Sequence, residues 1–152
     1  MLAVDNPLDL KAHVGEELEP SDWVTIDQAT IDKFADATGD HQWIHVDVAR
    51  AAHDMPDGKT IAHGYLTLSL LPQMLYQSYE VRNRTHSLNY GSNKVRFTSP
   101  VIVGSRVRMR MTFTAVEKVA DGGVRLTSNC LMEIEGSERP ALVAEVISQI
   151  YG

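Results

Sequence analysis

At 152 residues, 43% hydrophobic and 22% charged, the chain has the size of one domain, residues 1–152, and is short for two. Fourteen Lys and Arg against twenty Asp and Glu give a formal charge of −6, which argues against a nucleic-acid partner. One cysteine, Cys130, excludes an intrachain disulfide and a cysteine-based zinc site, and an N-terminus without a basic start leading into an apolar stretch predicts a cytoplasmic protein.

Along the chain, the first predicted elements are a short strand at Trp23 to Ile26 and a short amphipathic helix from Asp27 to Thr38. Ile31, Phe34, Ala35 and Thr38 recur at three- and four-residue steps, Asp27 is a candidate N-cap, and Gly39 marks the C-terminal stop. The stretch F-A-D-A-T-G-D-H-Q-W-I-H-V-D, Phe34 to Asp47, then sets Asp40, His41, His45 and Asp47 just beyond that glycine. An Asp and a His five residues apart in irregular chain can aim at one point, where a carboxylate and an imidazole share a water or a substrate hydroxyl. The alternative is that Asp40 caps a turn and the histidines are solvated. A metal held by His41 and His45 at i, i+4 is a third reading, weakened because Gly39 argues against a helix there.

D-G-K-T at Asp57 to Thr60 reads as a turn rather than a phosphate loop, since His53 stands at the first glycine position. I-A-H-G-Y, Ile61 to Tyr65, comes immediately before a long apolar segment. A glycine at a helix start lets a ligand approach free backbone N–H groups, so Gly64 is a candidate oxyanion donor; equally, it can simply allow close packing. His63 is either a ligand contact or a packed, satisfied histidine. A second helix is predicted over Gly64 to Glu80, with Leu66, Leu68, Leu70, Leu71, Met74, Leu75, Tyr76 and Tyr79 covering nearly every side, so it wants to be surrounded. Pro72 predicts a kink or a later start. Thr67, Ser69, Pro72, Gln73, Gln77 and Ser78 interrupt this run, so no membrane insertion is expected.

From Leu88 onward the period is two. A strand covers Asn93 to Phe97, and in the next Val107, Met109, Met111 and Phe113 alternate with Arg106, Arg108, Arg110, Thr112 and Thr114. Asp121-Gly122-Gly123 supplies a tight turn into Val124 to Ile134, and E-G-S-E-R-P leads into a third arm, Ala141 to Ile150. The expected class is α+β: a curved antiparallel sheet wrapped around a central buried helix. G-x-S-x-G, H-E-x-x-H and G-x-G-x-x-G are all absent, which removes the common warrants for a serine hydrolase, a zinc protease and a dinucleotide enzyme.

With these segments in order, the sequence resembles the MaoC-like dehydratase family, the (R)-specific enoyl-CoA hydratases of the hot-dog fold. That family's pattern is an aromatic residue, a small residue with G-D-x-N-P-[LIV]-H, and a small residue six positions after the histidine. Phe34, Thr38, Gly39, Asp40, Ile44, His45 and Ala51 match, while Gln42 and Trp43 stand where the family has Asn-Pro. I-A-H-G-Y-L-T-L-S-L is similar to its central-helix start and N-K-V-R-F-T-S-P-V-I-V-G-S-R-V to its strand leading into the meander, so the resemblance spans about Val24 to Ile150.

The resemblance implies syn hydration of a trans-2-enoyl-CoA to the (3R)-3-hydroxyacyl-CoA, in fatty acid metabolism, with no metal and no redox cofactor; the coenzyme A thioester is the substrate. Asp40 and His45 are then the catalytic pair, and the Gly64 N–H stabilises the thioester oxyanion. Trp43, His63, Tyr65, Leu66 and Leu68 are candidate substrate contacts. A hot-dog thioesterase is the first alternative, disfavoured because the helix lacks an acidic residue before Glu80, and a non-catalytic acyl-CoA binding module is the second. A homodimer or dimer-based assembly is expected, pairing through the Asn89 to Phe97 edge.

Overall fold

Period-two segments that bury one face need a second layer to cover it, and the chain supplies that layer from its helical half. The computed structural model describes residues 1–152. In chain order it contains β1 (Leu2–Val4), a 3-10 helix (Pro7–His13), β2 (Val24–Thr25), α1 (Gln28–Thr38), α2 (Trp43–Val46), α3 (Val48–Asp54), α4 (Gly64–Ser69) and α5 (Leu71–Ser78). β3 (Tyr79–Val81), β4 (His86–Phe97), β5 (Arg106–Lys118), β6 (Val124–Ile134) and β7 (Leu142–Tyr151) follow. Five strands form one sheet in the order β2-β5-β6-β7-β4, antiparallel throughout, and β1 pairs in parallel with β3 as a separate ribbon. The α+β expectation, a sheet curled over a central helix, holds.

The alternation read from the sequence is the alternation of burial. Val107, Met109, Met111 and Phe113 are 0–2% exposed on the inner face, opposite Leu126, Cys130 and Met132 of β6 and Leu142, Ala144 and Ile150 of β7. On the outer face the arginines of β5 are ion-paired: Arg106 with Glu135, Arg108 with Glu133, and Arg110 with Glu17. Such exposed pairs keep that face wet and contribute little stability each.

α1 starts and stops where its sequence requires. The Asp27 side chain accepts from the Thr30 N–H at 2.8 Å, and this hydrogen bonding holds its carboxyl below the ordinary value. Gly39 closes the helix in the left-handed region at φ 81°, a conformation that costs glycine nothing. Thr38 is exposed rather than part of the buried stripe, and its hydroxyl donates back to the Phe34 carbonyl.

The second predicted helix is corrected in two respects. It is two segments with a break at Leu70, because Pro72 has no N–H to give and is placed in the first turn of α5, where none is needed. It is also not surrounded: Leu66, Leu71, Met74 and Leu75 are buried under the sheet, but Tyr65 and Tyr76 are 69% and 57% exposed. Those open positions adjoin β4, which is longer than Asn93 to Phe97 and is an edge strand, with Leu88, Tyr90 and Phe97 exposed along it. Its pairing with β7 shifts register twice, between Asn89 and Gly91 and between Asn93 and Arg96, with Lys94 at φ 53° in the second shift. At the other edge, the strand expected at Trp23 to Ile26 is only Val24–Thr25. No helix is long and apolar enough to cross a membrane.

Candidate functional site

Gly39 releases the chain from α1 into a loop that carries Asp40, and α2 follows after two residues. His45 therefore sits on a one-turn helix rather than in irregular chain, a correction to the sequence expectation. The turn is closed locally: the His45 N–H donates to the Gln42 carbonyl at 3.0 Å, and the Gln42 N–H to an Asp40 carboxyl oxygen at 3.3 Å. So Asp40 does cap a turn, yet one carboxyl oxygen remains for other work.

His45 is 6% exposed, and its Nδ1 lies 2.7 Å from the Ile61 carbonyl oxygen. A carbonyl only accepts, so Nδ1 carries the hydrogen and Nε2 presents a lone pair. Burial is the main cause that pulls the His45 pKa below its ordinary 6.5; the neighbouring His63 adds to this, and the Ile61 hydrogen bond and Asp40 oppose it. The backbone of His45 is fixed as well: the Gln28 side chain donates to the His45 carbonyl at 2.8 Å and accepts from the Thr60 hydroxyl at 2.6 Å. Gln28 and Thr60 were not legible as site residues, because they lie 17 and 15 positions from His45 with no local pattern connecting them.

A carboxyl oxygen of Asp40 and a ring nitrogen each of His45 and His63 lie within 4.8 Å of one another. No direct hydrogen bond joins Asp40 to the His45 ring, and the gap suits one water hydrogen-bonded to both at about 2.8 Å. The three groups are less suited to an ion. The rings of His45 and His63 are stacked, with centroids 3.8 Å apart and planes inclined by 25°, so their in-plane lone pairs run side by side instead of converging. His41, the other member of the i, i+4 pair, turns away, its Nε2 bonded at 2.9 Å to exposed Asp36, which raises its pKa.

A cleft of about 260 Å³ opens beside this group, lined by His45, Gly64, Thr67, Phe97, Ser99 and Ala141 among others. Gly64 is the first residue of α4, with His63 as N-cap. The His63 carbonyl accepts from the Leu66 and Thr67 N–H groups, so the trans peptide directs the Gly64 N–H the opposite way, out of the helix start. The close-packing reading of this glycine also holds: a Cβ there would come within 2.9–3.1 Å of the Phe97 ring. A separate groove of about 350 Å³ lies at the helix break, between Leu68, Leu71 and Leu75 on one side and Tyr90, Gly91 and Val146 on the other.

The remaining candidates separate by position. Leu66 is 5% exposed in the core and Leu68, two positions on and on another side of α4, is half-buried; Tyr65 is exposed against Phe97, ring centroids 5.7 Å apart. Trp43 is covered by the Arg50 guanidinium at 4.1 Å. His63 is 2% exposed, its ring stacked on His45. Cys130 lies under the sheet, where burial pushes its thiol up to about 12, so it is no nucleophile. A larger cavity, about 410 Å³ against Arg110, Asn129 and Glu145, borders Cys130 but none of Asp40, His45, His63 and Gly64.

Comparison with known proteins gives concordant findings. Residues 9–131 match the MaoC like domain family. The chain is 52% identical over 147 residues, 97% of both chains, to the 3-hydroxyacyl-thioester dehydratase Z of Mycobacterium tuberculosis (strain ATCC 25618 / H37Rv). It is 48% identical over 143 residues to Nodulation protein N of Rhizobium leguminosarum bv. viciae, covering 93% of this chain and 89% of the relative. The solved structure of the (R)-hydratase of A. caviae involved in PHA biosynthesis superposes with a TM-score of 0.71 at 24% identity, over 91% of this chain and 96% of that one.

Proposed function

The chain belongs to the MaoC-like domain family, and from that premise we propose that it is a hydro-lyase that interconverts trans-2-enoyl-CoA and (3R)-3-hydroxyacyl-CoA on Asp40 and His45. The observation that carries this reading is the cluster of an Asp40 carboxyl oxygen with a ring nitrogen each of His45 and His63, all within 4.8 Å, where the His45 Nδ1 is bonded to Ile61 so that Nε2 keeps a lone pair, beside a cleft lined by His45 and Gly64. One water held between them loses a proton to the pair as its oxygen adds to C3, and the pair returns a proton to C2 on the same face. The charge that builds on the thioester oxygen meets the Gly64 N–H, worth a few kcal/mol for one well-aimed donor. The groove past Leu68 and Leu71 takes the acyl chain. The steps need neither a metal nor a redox cofactor. A thioesterase reading finds less support, since α4 and α5 carry no carboxylate to act as nucleophile or base. Coenzyme A thioesters and the single unpaired cysteine suit a cytoplasmic location.

The test is an absorbance assay of crotonyl-CoA hydration run beside a free-thiol assay. Loss of the enoyl chromophore without thiol release supports hydration; thiol release, or no reaction of either kind, overturns it.

The pH profile follows from the His45 environment. Its folded-state pKa lies below 6.5, so the lone pair is available at neutral pH, and kcat/KM stays level down to about pH 6.5 and falls only below that. The same depression makes the group destabilising in acid: the unfolded chain takes up its proton first, so the stability of keeping His45 neutral is lost as pH falls from 6.5 toward the folded pKa. An acid limb centred well above 6.5 contradicts this.

A dimer belongs to the same proposal. β4 leaves a row of backbone groups unpaired at the sheet edge, and the exposed Leu88, Tyr90, Phe97, Tyr65 and Tyr76 cluster along it and the adjoining helix. Edge-to-edge pairing through a two-fold axis covers both and brings the second groove against the partner. Light scattering at micromolar concentration is expected to give about twice 16.9 kDa or a multiple of that. A clean monomer with full hydratase activity refutes it.

A further inference from the structure

We infer that His63 is a positioning residue: it holds the Asp40 backbone and the His45 ring in mutual register for the hydration proposed above, on which this inference rests. Its Nε2 lies 2.9 Å from the Asp40 backbone carbonyl, which only accepts, so the imidazole N–H donates. One face of the ring stacks on His45 at 3.8 Å, and Phe34 of α1 packs against it with centroids 4.9 Å apart. Its own peptide bond is the one whose N–H belongs to Gly64. A single side chain thus ties together the loop after α1, the one-turn helix α2 and the start of α4, the three elements that carry the reacting groups.

The other ring nitrogen argues that the imidazole is kept for this contact rather than for packing. His63 Nδ1 is buried and has no hydrogen-bond partner. An unsatisfied buried polar atom costs free energy, and a phenyl or isobutyl group would fill the space without that cost. What an imidazole supplies and those groups lack is the N–H to the Asp40 carbonyl. Asp40 itself is exposed, and its only other anchor is the 3.3 Å contact to the Gln42 N–H, so losing the His63 bond frees the carboxyl to move relative to Nε2 of His45. Misplacement of a proton-transfer group by about 1 Å costs on the order of 100-fold in rate.

Two variants divide the contacts. His63→Gln keeps an N–H donor for the Asp40 carbonyl and loses the stacking ring; His63→Phe keeps a ring and loses the donor. Both are expected to lower kcat on crotonyl-CoA by about 10–100-fold with KM changed little, His63→Phe by more. The groups that face His45 are Asp40 from the loop after α1, the Ile61 carbonyl and His63 from the segment before α4, and Gln28 of α1 at its backbone. His63→Gln alters only one of them and admits water, so the acid limb of kcat/KM moves to higher pH; a purely structural role would lower Tm without moving that limb.

In the unaltered chain, two-bond 15N–1H correlation spectra read the tautomers without any turnover: Nε2–H for His63 and Nδ1–H for His45. Finding His63 as the Nδ1–H tautomer overturns the inference, as do folded variants with unchanged kcat and acid limb. An unaltered chain inert toward crotonyl-CoA overturns the hydratase reading and this role with it, whereas an active chain indifferent to both variants overturns the positioning role alone.

Discussion

His45→Gln and Asp40→Asn each lower kcat for crotonyl-CoA hydration by about 100- to 10,000-fold, with KM changed little. In the proposed mechanism the two groups act on the water, and neither lines the groove at the helix break, so what is lost is proton transfer and not binding. Gln matches His45 roughly in volume but has no lone pair that takes a proton at Nε2, and Asn at 40 still accepts the Gln42 N–H through its remaining oxygen. Because Asp40 is exposed and the α2 turn keeps its backbone bonds, thermal denaturation of Asp40→Asn follows the unaltered chain closely. The double variant is not much slower than the slower single one, since two groups acting on one water fail together. Near-normal hydration by both single variants removes the assignment of the site.

The largest stability effect is expected at Phe113, which touches no part of that chemistry. It is fully buried in the middle of β5, where the inner face of the sheet meets the end of the helical layer, and its ring meets Tyr79 edge-on, centroids 5.3 Å apart at 90°. Phe113→Ala leaves a cavity that the flanking strand β6 on one side and the chain at Gly15 on the other cannot collapse, costing about 3–5 kcal/mol. For a domain of this size that is a fall in Tm on the order of 10 °C. Chemical denaturation at one fixed protein concentration checks it, because association would otherwise shift the midpoint. A cost below about 1 kcal/mol would mean that the sheet and helix are not packed as described. The kcat per folded molecule is expected to stay near that of the unaltered chain, which separates this variant from those at Asp40 and His45.

Much of this was legible from residue order alone. The period-two runs name the buried residues of β5 from Val107 to Phe113 and most of those of β6, failing at Val116 beyond the register shift and at half-buried Ile134, and the Asp27 cap, the Gly39 stop and the Asp-Gly-Gly turn bound their elements, because each depends on dihedrals and hydrogen bonds within a few residues. The same locality exposed Asp40, His45 and Gly64 as candidates. Local sequence failed where the controlling contact is distant. The one-turn helix α2 is too short for a periodic signal, and it exists because Gln28 and Ile61 hold it from outside. β1 and β3 pair across 77 residues and carry no alternation of their own. The central helix looked enclosed because its apolar residues go all round; only the strand order shows that one side meets an unpaired edge. His63 is the clearest case: a histidine before a glycine reads as a ligand contact or as core, and only the tertiary fold stacks it on His45 and brings its Nε2 to the Asp40 carbonyl, because both partners lie about 20 residues away with no local pattern linking them.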